Sequence, residues 1–158
     1  MIITENTLLF ADRLKESGFD INTEKPSTGK FGDSKAMSDY LIALILEGKK
    51  TATCGLLESW KKFEEPVPTV GDIEIVLDWN DEPAAAIQYT EVEIKPFNQI
   101  SEDFAKDEGE GDGSFQYWRE AHLKFFNREC KLMDREFSED DEIVCLRFEL
   151  VGKFVMEM

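Results

Sequence analysis

An apolar stripe at helical spacing leads directly into an alternating β pattern in the first half of the chain. The residues of the stripe are Met37, Tyr40, Leu41, Leu44 and Ile45. Their spacing predicts an amphipathic helix that Asp33 or Ser34 caps and that ends near Glu47. Gly48 suits the left-handed residue that follows a helix, and a strand is predicted over 51–57. Side chains at such a helix-to-strand junction lie at element ends, where binding sites are commonly built.

The remaining patterns alternate between helix and strand. Helices are predicted over 4–17, 101–107 and 114–130, strands over 73–77, 84–94 and 143–151, and loops over 19–33 and 61–68. The alternation slips near Tyr89, which indicates a β-bulge. Short strands with inserted helices predict an α+β fold with a mostly antiparallel, barrel-like sheet and flanking helices. We expect one domain over 1–158, with a helical extension over about 1–30.

The charge balance limits the partners of this chain. Its 34 acidic and 18 basic residues give a formal net charge of −16. Nucleic acids and membrane surfaces are both anionic, so broad binding to either is disfavoured. A small ligand in a locally basic pocket is compatible with this charge, and solubility is the simpler reason for the acidity. No apolar run approaches the roughly 20 residues that span a bilayer.

The cysteine pattern argues against a zinc site. Cys54, Cys130 and Cys145 lack CxxC spacing, and the chain has one histidine. We therefore expect no metal and no cofactor. Reduced thiols and the lack of a signal-peptide pattern indicate a cytoplasmic protein. Cys145 is predicted to lie in the core, and Cys54 is interpreted as a small buried side chain, with a reactive thiol as the alternative.

Lys50 and Thr53 place a cation and a hydroxyl three residues apart. Desolvation would lower the pKa of Lys50 and make it a general base, whereas a charged Lys50 would stabilise an oxyanion or hold an anion. An exposed lysine would do neither. Thr53 becomes a nucleophile if a base lies beside it, and otherwise is an ordinary strand residue. The two side chains converge only if the chain turns at Lys50, which Gly48 allows.

A second polar segment is the glycine-acid run over 108–113, which precedes Trp118, Arg119 and His122. Glycines let a carboxylate approach a ligand closely, so Glu108 is a candidate to orient an ammonium and shuttle a proton. A solvated acidic loop is the alternative, and a calcium loop is disfavoured because the EF-hand spacing is absent. Trp118 could stack on a nucleobase or pack in the core with His122, and Arg119 could pair with a loop acid.

Several separated pieces of the chain resemble the ASCH domain family, a small β-barrel fold related to the PUA RNA-binding domain. The pieces are Phe31-Gly32-Asp33-Ser34, Gly48-x-Lys50-x-x-Thr53, Gly71-Asp72, and Glu-Gly-Glu-Gly-Asp before the Trp118 helix. They occur in the same order over about 31–151 and look most like the longer bacterial branch of the family.

The resemblance implies an activity and a set of site residues. Amidohydrolases in the wider family remove the acetyl group of N4-acetylcytidine with a Lys, a Thr and a Glu, which match Lys50, Thr53 and Glu108. Those enzymes carry an Arg two residues after the Thr, where this chain has Gly55. Arg119 is the candidate replacement. The predicted substrate-binding residues are Phe31, Ser34, Trp118, Arg119 and His122.

Three functions follow from these expectations. The first is hydrolysis of a small amide, in which Thr53 attacks the acyl carbon, Lys50 takes its proton and Glu108 positions Lys50. The second is an RNA-binding or RNA-cleaving domain that uses a basic strip of Lys49, Lys50, Lys61 and Lys62. The third is a non-catalytic module that binds a nucleoside or a similar ligand. The oligomeric state is not predicted.

Overall fold

The computed structural model describes residues 2–156, and this range forms five α-helices, five strands and one 3-10 turn. The helices are α1 (Glu5–Glu16), α2 (Lys35–Leu46), α3 (Leu57–Lys62), α4 (Glu102–Asp107) and α5 (Phe115–Leu132). The strands are β1 (Thr28–Lys30), β2 (Ala52–Leu56), β3 (Ile73–Leu77), β4 (Pro83–Pro96) and β5 (Glu142–Lys153). The 3-10 turn is Phe97–Gln99.

Four of the helices begin at a hydroxyl side chain that caps the first turn. Thr4, Ser34, Ser101 and Ser114 each accept a hydrogen bond from the backbone N–H three residues later. Such caps satisfy a donor that the helix itself leaves unpaired. The predicted helices over 4–17, 34–47, 101–107 and 114–130 are therefore confirmed to within two residues at each end.

The strands form one curled, mixed sheet that closes into a half-barrel, which confirms the α+β prediction. The strand order is β1-β3-β4-β5-β2, and only β1 and β3 pair in parallel. The pairing of β4 with β5 shifts register between Tyr89 and Glu91, which confirms the predicted bulge. β5, the last strand in the sequence, thus lies between β4 and β2.

Two short elements differ from the sequence prediction. β1 lies in the predicted loop over 19–33, because three residues are too few to show alternation and the strand forms by pairing with β3. α3 extends from the end of β2 into the predicted loop over 61–68. Its first turn has no side-chain cap, so the usual start signal is missing.

Apolar side chains pack on both faces of the sheet and hold the polar segments in place. One cluster joins α2 to the sheet through residues such as Leu41, Ile45 and Leu146. A second joins β2 and β5 to α4 and α5, and α1 packs against β3 and β4 in a third. Among the described helices, none has the length and apolar character that crossing a membrane would need.

Candidate functional site

A cavity of about 400 Å³ opens between α2, α3, α5 and the concave part of the sheet. Its volume is within the range of small-molecule sites. Aromatic and apolar side chains line it, among them Phe31, Leu41, Trp60, Phe63 and Phe125. Its polar lining includes Lys50, Thr53, Glu108, Glu110 and His122. The two polar segments that stand out in the sequence therefore meet at one cavity.

Lys50 is a buried cation held by two carboxylates. Its side chain is only 1% exposed, and its Nζ lies 3.1 Å from Glu108 Oε1 and 3.0 Å from Glu110 Oε2. Burial acts to lower the pKa of Lys50, but the negative charges of Glu108 and Glu110 outweigh it, so the pKa is raised above its usual value. The two ion pairs and the raised pKa favour the ammonium form of Lys50. Of the alternatives left by the sequence, they support the charged lysine over the neutral general base.

Glu108 is the centre of the hydrogen-bond network. Its Oε2 accepts from Trp118 Nε1 at 2.5 Å and from Cys54 Sγ at 3.3 Å, and lies 3.3 Å from His122 Nε2. Burial acts to raise the pKa of Glu108, but the charges of Lys50 and His122 and these hydrogen bonds lower it well below the usual range. The buried carboxylate is therefore ionised and fully hydrogen-bonded.

His122 completes the network from α5. Its Nδ1 lies 2.8 Å from the carbonyl oxygen of Trp118, so Nδ1 carries a hydrogen and donates it. Burial acts to lower the pKa of His122, but the charge of Glu108 and a hydrogen bond to it raise the pKa above its usual value. His122 therefore adds positive charge beside Glu108 when it is protonated.

The glycine-acid loop is positioned by close backbone contacts. Gly109 has a φ of 70°, and a Cβ there would overlap the backbone carbonyl oxygen of Lys49. Thr51 N donates to the Asp107 carbonyl at 2.8 Å, and Gly111 N donates to the Tyr40 hydroxyl at 2.9 Å. These contacts hold the loop against the start of β2, which brings Glu108 and Glu110 to Lys50.

Thr53 and Cys54 occupy neighbouring positions of β2, and both line the cavity. Within residues 2–156, the Thr53 hydroxyl forms no hydrogen bond, so it is available to a ligand. Burial and the negative charge of Glu108 raise the pKa of Cys54 well above its usual value. The half-buried Cys54 thiol donates to Glu108, and its raised pKa disfavours the alternative of a reactive thiolate.

Cys54, Glu108 and His122 also have the donor types of a metal site. Their ligand atoms lie within 4.8 Å of one another. A cation there would face the ammonium of Lys50, 3.1 Å from the same carboxylate, and would displace the donors that Glu108 already has. The raised pKa of Cys54 also disfavours the thiolate that zinc needs. This chemistry fits a hydrogen-bonded cluster better than a metal centre.

The predicted substrate-binding residues fall into two groups. Phe31 and His122 line the cavity. Ser34 instead caps α2 by accepting from Met37 N. Trp118 is 2% exposed, and its ring stacks on His122 at 4.4 Å between centroids and on Phe97 and Phe115 at longer distances, so it packs in the core with His122. The structure corrects the expectation that its ring stacks on a nucleobase.

Arg119 does not take the place of the family arginine that is absent at position 55. Its guanidinium pairs with Glu139 and lies over the ring of Phe97, away from the cavity lining. Arg128 does line the cavity, but it pairs with Asp33 at 2.9 Å. Position 55 itself lies against Trp60, where a Cβ would come within 2.8 Å of the indole ring.

Sequence reasoning did not select several residues of this site. In the sequence, Glu110 stands out only as part of an acidic run, although its spacing of two from Glu108 is a signal for a second carboxylate on one cation. Trp60 lies on the short α3, which the sequence pattern did not show. Arg128 and Glu129 continue the face of α5 that carries His122, and they could have been found by extending its helical spacing.

Comparison with known proteins assigns the fold to a family. The family model for the ASCH domain matches residues 27–152. A crystal structure of an ASCH domain from Lactobacillus crispatus is 35% identical, covers 93% of this chain and 94% of its own, and has a TM-score of 0.83. A crystal structure of a protein from Enterococcus faecalis is also 35% identical, covers 97% of this chain and 91% of its own, and has a TM-score of 0.85. No curated protein matches the sequence.

Proposed function

We propose that this chain, which belongs to the ASCH domain family, is a hydrolase of small amides such as N4-acetylcytidine. ASCH domains are in general PUA-like modules that bind RNA or resemble hydrolases. The observation that carries the proposal is the buried Lys50–Glu108–Glu110 cluster at the wall of a cavity that Thr53 also lines. A hydroxyl, an ammonium and two carboxylates beside one cavity are the groups that acyl transfer needs.

The first step is attack by Thr53. Its Oγ1 forms a bond to the acyl carbon, and its proton passes to a carboxylate of the cluster, because Lys50 already holds its protons. Glu110 is the acceptor we assign, since its side chain is 15% exposed whereas that of Glu108 is 1% exposed and fully hydrogen-bonded. The ammonium of Lys50 stabilises the negative charge that develops on the acyl oxygen.

The second step releases the amine. The carbon–nitrogen bond breaks, and the leaving nitrogen takes up the proton that Glu110 accepted from Thr53. Water then attacks the ester on Thr53 and gives its own proton to the same carboxylate. The acid leaves, and the threonine hydroxyl recovers a proton. Lys50 remains charged throughout, so it acts by electrostatic stabilisation in place of the general-base role that the resemblance implied.

Incubation with N4-acetylcytidine tests the proposal. Chromatography should show cytidine and acetate in equal amounts. Thr53→Val preserves the shape of the side chain and should abolish turnover, whereas Thr53→Ser should retain part of it. Thr51→Ala is the matched control, because the Thr51 hydroxyl donates to the Asp107 carbonyl outside the cluster. Turnover that persists in Thr53→Val would remove the assigned nucleophile.

RNA binding is the competing function, and the charges on the surface disfavour it. Two members of the expected basic strip are paired with acids: Lys49 lies 3.2 Å from Glu47, and Lys61 lies 3.7 Å from Glu58. Lys50 is buried. A single-stranded RNA titration at two salt concentrations distinguishes the functions, since RNA binding should weaken steeply as salt rises. Salt-sensitive RNA binding without amide turnover would favour this function, and ligand binding without turnover would favour a non-catalytic module.

A further inference from the structure

Part of the cavity wall is built on the contact between Gly55 and Trp60. β2 ends at Leu56 and α3 begins at the next residue, so the chain folds back and brings Trp60 over the strand. A Cβ at position 55 would lie 2.8 Å from two atoms of the indole ring. The missing side chain at Gly55 is therefore what allows the ring to lie there. Both residues line the cavity.

A carboxylate lies near this aromatic wall. Glu129 lines the cavity from α5, and its Oε2 accepts from the Ser59 hydroxyl at 3.2 Å, next to Trp60 in α3. Within residues 2–156, no lysine or arginine forms an ion pair with Glu129. Burial raises the pKa of Glu129, the hydrogen bond from Ser59 opposes this, and the charge of Asp33 adds to it. Glu129 thus offers an acceptor without a cationic partner.

The cations that line the cavity are already neutralised by acids. Lys50 is held by two carboxylates, Arg128 lies 2.9 Å from Asp33, and Lys30 lies 2.7 Å from Asp81. The protein as a whole carries a formal charge of −16. An anionic ligand would therefore find these cations already paired and would be repelled by Glu129 and by the negative net charge of the protein.

We propose that Trp60 and Glu129 form a subsite for a flat, uncharged or cationic ring with N–H donors, and that this subsite discriminates against phosphorylated ligands. The ring lies on the indole face, and its N–H groups donate to the Glu129 carboxylate. This inference rests on the proposed function for its choice of a nucleoside as ligand. It adds that the free nucleoside binds more tightly than its nucleotide.

Binding measurements on Thr53→Val protein test the discrimination, because this variant should not consume the ligand. The probes are N4-acetylcytidine and its 5′-monophosphate, titrated by calorimetry at mildly alkaline pH, which favours the carboxylate form of Glu129 because the pKa of this group is raised. The nucleoside should bind at least about tenfold more tightly than the monophosphate. This difference in affinity should be smaller in Thr53→Val/Glu129→Gln. Equal or tighter binding of the monophosphate would overturn the inference, as would no binding of either probe.

Substitution of Trp60 tests the stacking surface. Trp60→Ala should weaken nucleoside binding by about tenfold or more, as expected when an aromatic platform for a base is removed. Trp60→Phe keeps a ring and should lose less, which separates stacking from a loss of folding. Trp79→Ala is the matched control, because Trp79 lies outside the cavity lining. Unchanged nucleoside affinity in Trp60→Ala would contradict the subsite.

The outcomes separate this inference from the proposed hydrolase. Amide turnover without discrimination between nucleoside and monophosphate removes the subsite and leaves the hydrolase. Discrimination that depends on Trp60 and Glu129, in a protein that releases no cytidine, supports the subsite and removes the hydrolase.

Discussion

At the scale of single residues, we expect Lys50 to matter most, both for stability and for the proposed reaction. Its removal leaves Glu108 buried and negatively charged without its main partner. We expect Lys50→Met to lower the free energy of unfolding by about 3–5 kcal/mol, as is typical when one member of a buried ion pair is removed. Urea unfolding measures this. Lys49→Met removes the exposed neighbouring lysine and should change stability little.

A second substitution tests the cause of that loss. Lys50→Met/Glu108→Gln removes the cation and the more deeply buried of its two carboxylates, and should be more stable than Lys50→Met alone, because only the more exposed Glu110 is left without its partner. A double variant that is less stable than the single one would show that packing of the lysine stem, and not charge, dominates.

His122, the only histidine of the chain, reports on the charge of the Lys50–Glu108 network through its pKa. The pKa of His122 is raised, so its contribution to stability is fully present below about pH 6.5 and is lost as the pH rises through the higher folded value. Titration of the imidazole protons by NMR measures the pKa. Glu108→Gln removes the main charge that raises it, so the pKa should fall. A pKa that stays unchanged in Glu108→Gln would contradict the pairing.

Sequence reasoning reached some of these residues and missed others for physical reasons. Lys50, Thr53 and Glu108 were selected by motif, and the structure brings all three to one cavity. The protonation of Lys50 depends on Glu110 and on burial, neither of which spacing shows. Trp118 is a residue type that often stacks on ligands, but the structure shows it buried against His122 and two phenylalanines, with its Nε1 donating to Glu108.

At the scale of elements, Gly109 does more than the acidic residues to fix the conformation of the loop between α4 and α5. Gly109 combines a left-handed backbone with close contact to Lys49. We expect Gly109→Ala to cost about 1–3 kcal/mol from backbone strain, with a further loss from the overlap, and to lower activity because the two carboxylates move. Thermal unfolding and turnover measure the two effects.

Gly113→Ala is the control for that substitution. Gly113 has a φ of 80°, but a Cβ there would have no atom within 4 Å. The control should therefore show the strain alone and keep activity. Similar losses of activity in both variants would mean that the contact with Lys49 does not position the site.

Element length decided which parts of the fold could be predicted. The strand Ile73–Leu77 was predicted at its observed bounds, because it alternates and is bordered by Gly71 and the turn after Asp78. β1 has three residues and takes its conformation from β3, so local sequence holds almost no signal for it. The helix α3 has only six residues and no side-chain cap, so its sequence signal is also weak. It nevertheless supplies Trp60 to the cavity.

For the molecule as a whole, the formal charge of −16 opposes the compact state. Salt screens this repulsion, so we expect the Tm to rise as sodium chloride is added at neutral pH. The increase should be smaller in Asp20→Lys/Glu24→Lys, which reduces the negative charge at exposed positions. Differential scanning calorimetry measures both. A Tm that falls with salt would mean that the surface ion pairs outweigh the net repulsion.

The position of β5 between β4 and β2 has a consequence for biosynthesis. β2, which carries Thr53, is held in the sheet by pairing with Leu146 and its neighbours, and β4 pairs with the other edge of the same strand. A nascent chain that has emerged only as far as α5 contains every residue assigned to the proposed reaction. It still lacks β5, the strand that pairs β2 with β4 in the sheet. The proposed site should therefore form only after residues 142–153 have left the ribosome, and a nascent chain stalled before that point should lack the proposed activity and be sensitive to protease.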